Sequence, residues 1–277
     1  MRLPSPSHPI GIFDSGVGGL TVLRALRRRL PHEDLIYLGD TARLPYGTKS
    51  PETVRNYAVQ AARLLVERNV KMLVVACNTA SAHALEALRA EFPHLPVIGV
   101  VEPGASAACA ASLSGRILVI ATESTVQAGA YDQAIRRLRP DARVASRPCP
   151  LFVSLAEEGL TEGEIAEAVA RHYLDPLLAP DRPDRPDCLV LGCTHFPAMA
   201  TTLAKVAGPG IILVDSASTT AESVAAALST HDLAGTHERP GRLRYLATDA
   251  PGRFARVAAT FLPWSLDSEA IELVDLR

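Results

Sequence analysis

KMLVVACNTASAHAL, residues 71–85, is an apolar run that stops at a cysteine and passes at once into a helical pattern. Met72 to Val75 show no polar alternation, which is how a strand covered by helices on both faces reads. Further on, Ala80, Ala84, Leu85 and Leu88 fall on one helical face. CLVLGCTHFPAM, residues 188–199, repeats the layout: apolar run, Cys193, two polar residues, helix-like pattern. Two cysteines in one local setting read as a matched pair.

The same grammar extends in both directions. PIGIF, DLIYLGD, PVIGV, RILVIAT and IILVDS are further short runs rich in Val, Ile and Leu. Amphipathic stretches such as LTVLRALRRRLP and TVRNYAVQAARLLVERN lie between them. This alternation predicts an α/β fold with mostly parallel sheets and right-handed crossovers. Breaks are expected near VVEPGAS, where Pro103 and Gly104 interrupt the pattern, and near AGPGI, residues 207–211. APDRPDRPD, residues 179–187, reads as a surface loop leading to the strand that ends at Cys193.

The chain of 277 residues has room for one large or two moderate domains. A net charge of −2 gives it no electrostatic pull toward nucleic acid or an acidic membrane. The run Arg27, Arg28, Arg29 is short and suits the C-terminus of a helix. Five cysteines, an odd number in a chain this long, do not make a disulfide framework, and reduced thiols point to the cytoplasm. MRLPSPSHPI lacks the apolar stretch of a signal peptide, and every apolar run falls short of the roughly 20 residues that span a bilayer.

In open α/β sheets ligands bind beyond the carboxyl ends of strands. Asp14–Ser15, Cys77–Asn78–Thr79 and Cys193–Thr194–His195 all stand there, each before a helix-like segment. Taken alone, a cysteine is a small buried hydrophobe, and Cys188 and Cys109 fit that reading. Cys77 and Cys193 instead precede helix starts, where the dipole and free N–H groups favour a thiolate. Asn78 and Thr194 are expected to cap those helices.

Three chemistries use two thiols held apart. Redox pairing finds no C-x-x-C, and a metal site finds no ligand spacing around Cys193 and His195. Proton transfer at opposite faces of one carbon needs two acid/base groups flanking the substrate, one thiolate and one thiol, which exchange roles with direction. Asp14 would then manage the proton of one thiol and His195 that of the other. DSGVGG is not G-x-G-x-x-G, and GTKS lacks the upstream glycine of a P-loop. Glycines at a helix start still let backbone N–H groups approach an anion such as an amino-acid carboxylate.

IGIFDSGVGGLTV, GDTARLPYGTKS, VVACNTASA, VVEPGA, CPLFVSLAEEG, LVLGCTHFP and VDSASTTA, in that order, resemble the glutamate racemases of the cofactor-independent aspartate/glutamate racemase superfamily. The resemblance runs from about residue 10 to the last helix. It implies two similar α/β domains, residues 8–101 with 212–277 and residues 102–211, and an active site in the cleft between them. It brings Cys77 and Cys193 from opposite domains, has Asp14 and His195 assist them, and puts Glu157 near His195. Ser15, Pro45, Tyr46, Gly47, Asn78, Thr79, Thr125 and Thr194 would surround the substrate. It further implies interconversion of L- and D-glutamate, supplying D-glutamate for peptidoglycan. No cofactor and no metal are expected, since no lysine follows a strand where a pyridoxal site would need one. Glutamate is the expected partner, nucleic acid and membrane are not, and a homodimer is the expected assembly. Ser154 stands where proline is expected and Ser106 where a basic residue is common; neither is expected to touch the thiol pair. Other readings are an aspartate or other amino-acid racemase, a Cys–His hydrolase with Cys193 as nucleophile, and a binding protein with no chemistry.

Overall fold

The computed structural model describes residues 4–179, 181–236 and 238–276. Its strands form two parallel sheets. The first holds β1 (Ile10–Asp14), β2 (Leu35–Gly39), β3 (Met72–Val75), β4 (Val97–Gly99), β9 (Leu243–Ala247) and β10 (Ile271–Leu273), in the order β10-β9-β2-β1-β3-β4. The second holds β5 (Arg116–Ala121), β6 (Arg143–Pro148), β7 (Cys188–Gly192) and β8 (Ile212–Asp215), in the order β6-β5-β7-β8. Helices cover both faces of each, giving two α/β domains.

Period-two geometry explains why the strands read as unbroken apolar runs. Ile10 and Ile12 of β1 join Met72 and Val74 of β3 in a core completed by α1 (Leu20–Arg29), α10 (Ser216–Thr230) and α11 (Pro251–Ala258). Phe13, Leu73 and Val75 face the other way, onto α2 (Pro51–Glu67) and α3 (Asn78–Glu91). In the second sheet, Leu118, Ile120, Leu189 and Leu191 pack toward α7 (Leu151–Glu157), α8 (Glu164–Leu178) and α9 (Ala200–Ala207). Ile117, Val119, Cys188 and Val190 pack toward α4 (Val101–Ala111) and α6 (Ala130–Leu138). The remaining helix, α5, is short, Glu123–Ala128. Arg27, Arg28 and Arg29 do occupy the last turn of α1.

Two sequence expectations change. Pro103 and Gly104 do not break the chain: they sit in the first turn of α4, where proline costs no helical hydrogen bond. β8, which the division at 211/212 groups with the first domain, pairs in parallel with β7, Cys188 opposite Ile212 and Leu191 opposite Asp215. The chain returns to the first sheet only afterwards, through α10, which packs on both α1 and α4. The first described residues are tied into the fold. His8 donates its N–H to Ser5, and the Pro6 and Pro9 carbonyls accept from the ammonium and the backbone N–H of Lys71. Residues 1–3 of that stretch, and residue 180 of the 179–187 loop, lie outside the described residues. Lys71 is fully buried and pairs with Glu33 at 2.5 Å, a tie at the amino end of the first sheet. No helix among the described residues is long and apolar enough to cross a membrane.

Candidate active site

The carboxyl ends of both sheets converge on one cavity of about 240 Å³. Ser15, Pro45, Tyr46, Gly47, Cys77, Asn78 and Thr79 line it from the first sheet, and Cys193, Thr194 and His195 from the second. Asp14, Glu157 and Thr125 stand behind that wall, each hydrogen-bonded to or electrostatically coupled with a residue on it. A larger cavity, about 540 Å³, opens between α1, α9 and α10 against Trp264, but no thiol or imidazole lines it. Chemistry rather than size therefore singles out the smaller one.

Cys77 is itself the N-cap of α3: its sulfur accepts the Ala80 N–H at 3.4 Å. Asn78 was expected in that role and is instead the first helical residue. Its Oδ1 accepts from the Tyr131 hydroxyl at 2.7 Å, and its buried Nδ2 has no protein partner. Thr194 caps nothing, because a 3-10 turn, Phe196–Met199, follows Cys193 where an α-helix was expected. The Ser15 hydroxyl lies 3.5 Å from the Cys77 sulfur.

Burial and then the Asp14 carboxylate push the Cys77 thiol up to about 12, against the Ala80 N–H and the Ser15 hydroxyl. Asp14 is fully buried, and Oδ2 accepts from the N–H groups of Gly16 and Gly19 at 3.0 and 3.1 Å. Burial raises it as well, and His195 and those N–H groups do not reverse the shift. Two N–H groups of the DSGVGG loop thus serve Asp14 and not an outside anion. The glycines answer to crowding. A Cβ on Gly18 would fall 2.4 Å from the His195 Nδ1, and one on Gly19 would fall 2.6 Å from the Asp14 Cβ.

The other thiol has the opposite neighbour. His195 Nδ1 lies 3.8 Å from the Cys193 sulfur, and Nε2 lies 3.1 Å from Glu157 Oε1. Burial alone would lower the imidazole from its ordinary 6.5. Its bonds to Cys193 and Glu157, with the charge of Cys193 and Asp14, outweigh that and push it up to about 10. Burial likewise opposes Glu157, whose carboxyl His195 and Arg253 hold below the ordinary value. Asp14 therefore stands by Cys77, and an imidazolium by Cys193.

Sequence reasoning missed several wall residues. Thr122 lines the cavity and forms a closed triangle of hydroxyls with Thr79 and Thr125, at 2.9–3.0 Å, across the two domains. It follows β5 as Cys193 follows β7, and that position was the signal available. Glu123, Pro150, Val153 and Ser154 also line the cavity. Ser154 is thus nearer the thiols than expected. Asp40, at the end of β2, is buried and holds the Tyr46 wall, accepting from Tyr46 at 2.5 Å, Arg43 at 2.7 Å and Thr248 at 2.9 Å.

Comparison with known proteins narrows what such a site is for. The family model described as Asp/Glu/Hydantoin racemase matches residues 19–224. A glutamate racemase of Geobacter metallireducens is 51% identical over 257 residues, 93% of each chain. The crystal structure of glutamate racemase from Francisella tularensis, in complex with D-glutamate, superposes with a TM-score of 0.89 at 37% identity, covering 98% of each chain. That from Thermus thermophilus, in complex with beta-chloro-D-alanine, gives 0.87 at 43%, again covering 98% of each. With relatives this similar along nearly its whole length, and the same two-domain fold, the chain belongs to the Asp/Glu/Hydantoin racemase family, among its glutamate racemases.

Proposed function

We propose that this protein interconverts L- and D-glutamate without a cofactor, with Cys77 and Cys193 as acid/bases on opposite faces of the α-carbon. The carrying observation is that the two thiols, from different domains, line one cavity with Asp14 behind one and His195 behind the other.

The chemistry follows from those partners. A thiolate takes the α-proton, and the electron pair left on carbon delocalises into the α-carboxylate. The opposite thiol gives its own proton to the other face. The sulfurs end with exchanged protonation states, so the reverse reaction uses the same machinery. In the unliganded molecule burial and Asp14 keep the proton on Cys77, and the His195 imidazolium lies beside the Cys193 sulfur. Hydroxyl and amide donors from Ser15, Asn78, Thr79, Thr122 and Thr194 can hold two carboxylates without adding a cation. The unpartnered Nδ2 of Asn78 is donor capacity waiting for an acceptor. Donors aimed at developing oxyanion charge are worth roughly 3–4 kcal/mol each, so two or three meet the minimum of about 8 kcal/mol that enzymes supply. Glutamate is favoured over aspartate because the relatives at 45–51% identity are glutamate racemases. Supply of D-glutamate for peptidoglycan is the role that this activity serves.

Circular dichroism of purified amino acids tests the reading. Wild type is expected to racemise both glutamate enantiomers and to prefer them to aspartate. Cys77→Ala and Cys193→Ala should each abolish this, and Cys→Ser should cripple it, since a hydroxyl is a far weaker acid. Full activity of either alanine variant, or a preference for aspartate, contradicts it. An acyl-enzyme trapped on Cys193 of the wild type, with Cys77→Ala fully active, would mark a Cys–His hydrolase.

A further inference from the structure

α11 belongs to the first sheet's half of the molecule, yet it reaches both acid/base pairs. Phe254 meets the Tyr37 ring edge-on at 6.0 Å between centroids, and Tyr37 carries its hydroxyl to 3.5 Å from Asp14. Just beyond the helix, Phe261 packs edge-on against His195 at 5.4 Å. Arg253 is the charged member of the set. Its guanidinium donates to Glu157 Oε2 at 2.7 Å, while the other oxygen of that carboxylate faces His195 at 3.1 Å. Arg253, Glu157, His195 and Cys193 thus form one line from half-exposed surface to the sulfur. The line crosses from one domain to the other between Arg253 and Glu157.

We infer that Arg253 is a positioning residue for the Cys193 half of the reaction: by holding one oxygen of Glu157, it aims the other at His195, and it does so only when the two domains are closed. The inference rests on the proposed role of Cys193 and His195. The geometry leaves Glu157 little else to do. Its side chain is only 13% exposed, and its two oxygens have one partner each. A carboxylate with two rigid partners has its plane fixed, while one with a single partner can swing. Arg253 touches no reacting atom. It acts through Glu157, which orients the imidazolium as the third member of a catalytic triad does. Because Arg253 comes from the far side of the cleft, opening the domains takes away the clamp together with the opposite thiol. An open molecule would therefore hold a relaxed His195, and closure would complete the relay.

Glu157 is faced by His195 and Arg253, and His195 in turn by Cys193 and Asp14. Losing Arg253 removes one of the two cations that hold Glu157 ionised, so Glu157 must take up its proton at higher pH. The test is kinetic, on the whole enzyme, with Arg253→Ala, Arg253→Lys, Glu157→Gln and the double variant Arg253→Ala with Glu157→Gln. Arg253→Ala should lower kcat about two- to fivefold with KM little changed, the size expected of a partly exposed ion pair. The acid limb of its pH–rate profile should move to higher pH. Arg253→Lys should restore most of both. In the Glu157→Gln background the alanine change should cost nothing further, because its target is gone. A clamp that merely stabilises the fold would lower the melting temperature and leave the acid limb in place. Wild-type kcat and an unmoved acid limb in Arg253→Ala would overturn the inference, as would an equal loss in both backgrounds. Wild-type activity in Cys193→Ala would instead sink the reading on which it rests.

Discussion

Cys77 and Cys193 are alike in sequence and unlike in surroundings. Each ends the turn after a parallel strand, and each is nearly buried. One sulfur has Asp14 behind it and the other has His195. Burial and Asp14 oppose ionisation of Cys77, while the His195 imidazolium lies beside the Cys193 sulfur. Asp14→Asn should show this at a single residue. The variant loses the carboxylate that helps raise Cys77, and burial remains. Alkylation of Cys77, followed against pH by mass spectrometry, should therefore reach its midpoint at lower pH than in the wild type. An unmoved midpoint would mean that burial alone sets this thiol.

At the scale of elements, the loop between β1 and α1 shows what a sequence can and cannot reveal. Its glycines read as an anion cradle; in the fold they are the space into which His195 of the other domain fits. Gly18→Ala should force that imidazole aside. Overpacking of this kind costs about 1–3 kcal/mol, or a melting temperature lower by about 3–10 °C in a chain of this size. Misplacing a catalytic group by an ångström costs about a hundredfold in rate. Wild-type activity in the alanine variant would show that the contact yields without effect. The seven apolar runs all became strands, β1 to β5 with β7 and β8, because burial on both faces leaves an unbroken hydrophobic signal. β6 was not legible: RVASRP is the edge of its sheet, largely exposed, and carries two arginines. β9, LRYLA, and β10, IEL, lie at one edge of the first sheet and are too short or too polar to stand out. The candidate site was legible where function sits on a strand end, at Asp14, Cys77 and Cys193. Arg253 was not, since its partner lies 96 positions away and nothing local marks it.

Across the whole molecule, the site depends on two domains meeting. The Thr21 hydroxyl to the Thr194 carbonyl, Tyr131 to Asn78, and Arg253 to Glu157 all cross the interface beside the cavity. Closing the cleft also buries His195, whose imidazole is pushed up from 6.5 to about 10. Below pH 6.5 the folded and unfolded chains both hold this proton, and its full stabilisation is present. Between 6.5 and about 10 only the folded chain holds it, so rising pH removes that stability step by step. Cys77 acts in the same direction at higher pH, because the unfolded thiol ionises near its ordinary 9.0 and the folded one near 12. Melting temperature should therefore fall from pH 6.5 toward 10, and fall less steeply in His195→Gln. Parallel curves for the two proteins would show that the imidazolium contributes nothing to closure.

The account turns on two separate proton carriers flanking one carbon. Racemisation of L-glutamate by the wild-type enzyme in heavy water, stopped early, tests that most directly. Mass spectrometry of the separated enantiomers should find solvent deuterium at the α-carbon of the D-glutamate formed, while the remaining L-glutamate keeps its protium. Product that retains the substrate's own proton would mean that one group serves both faces, and the opposed-thiol mechanism would be wrong.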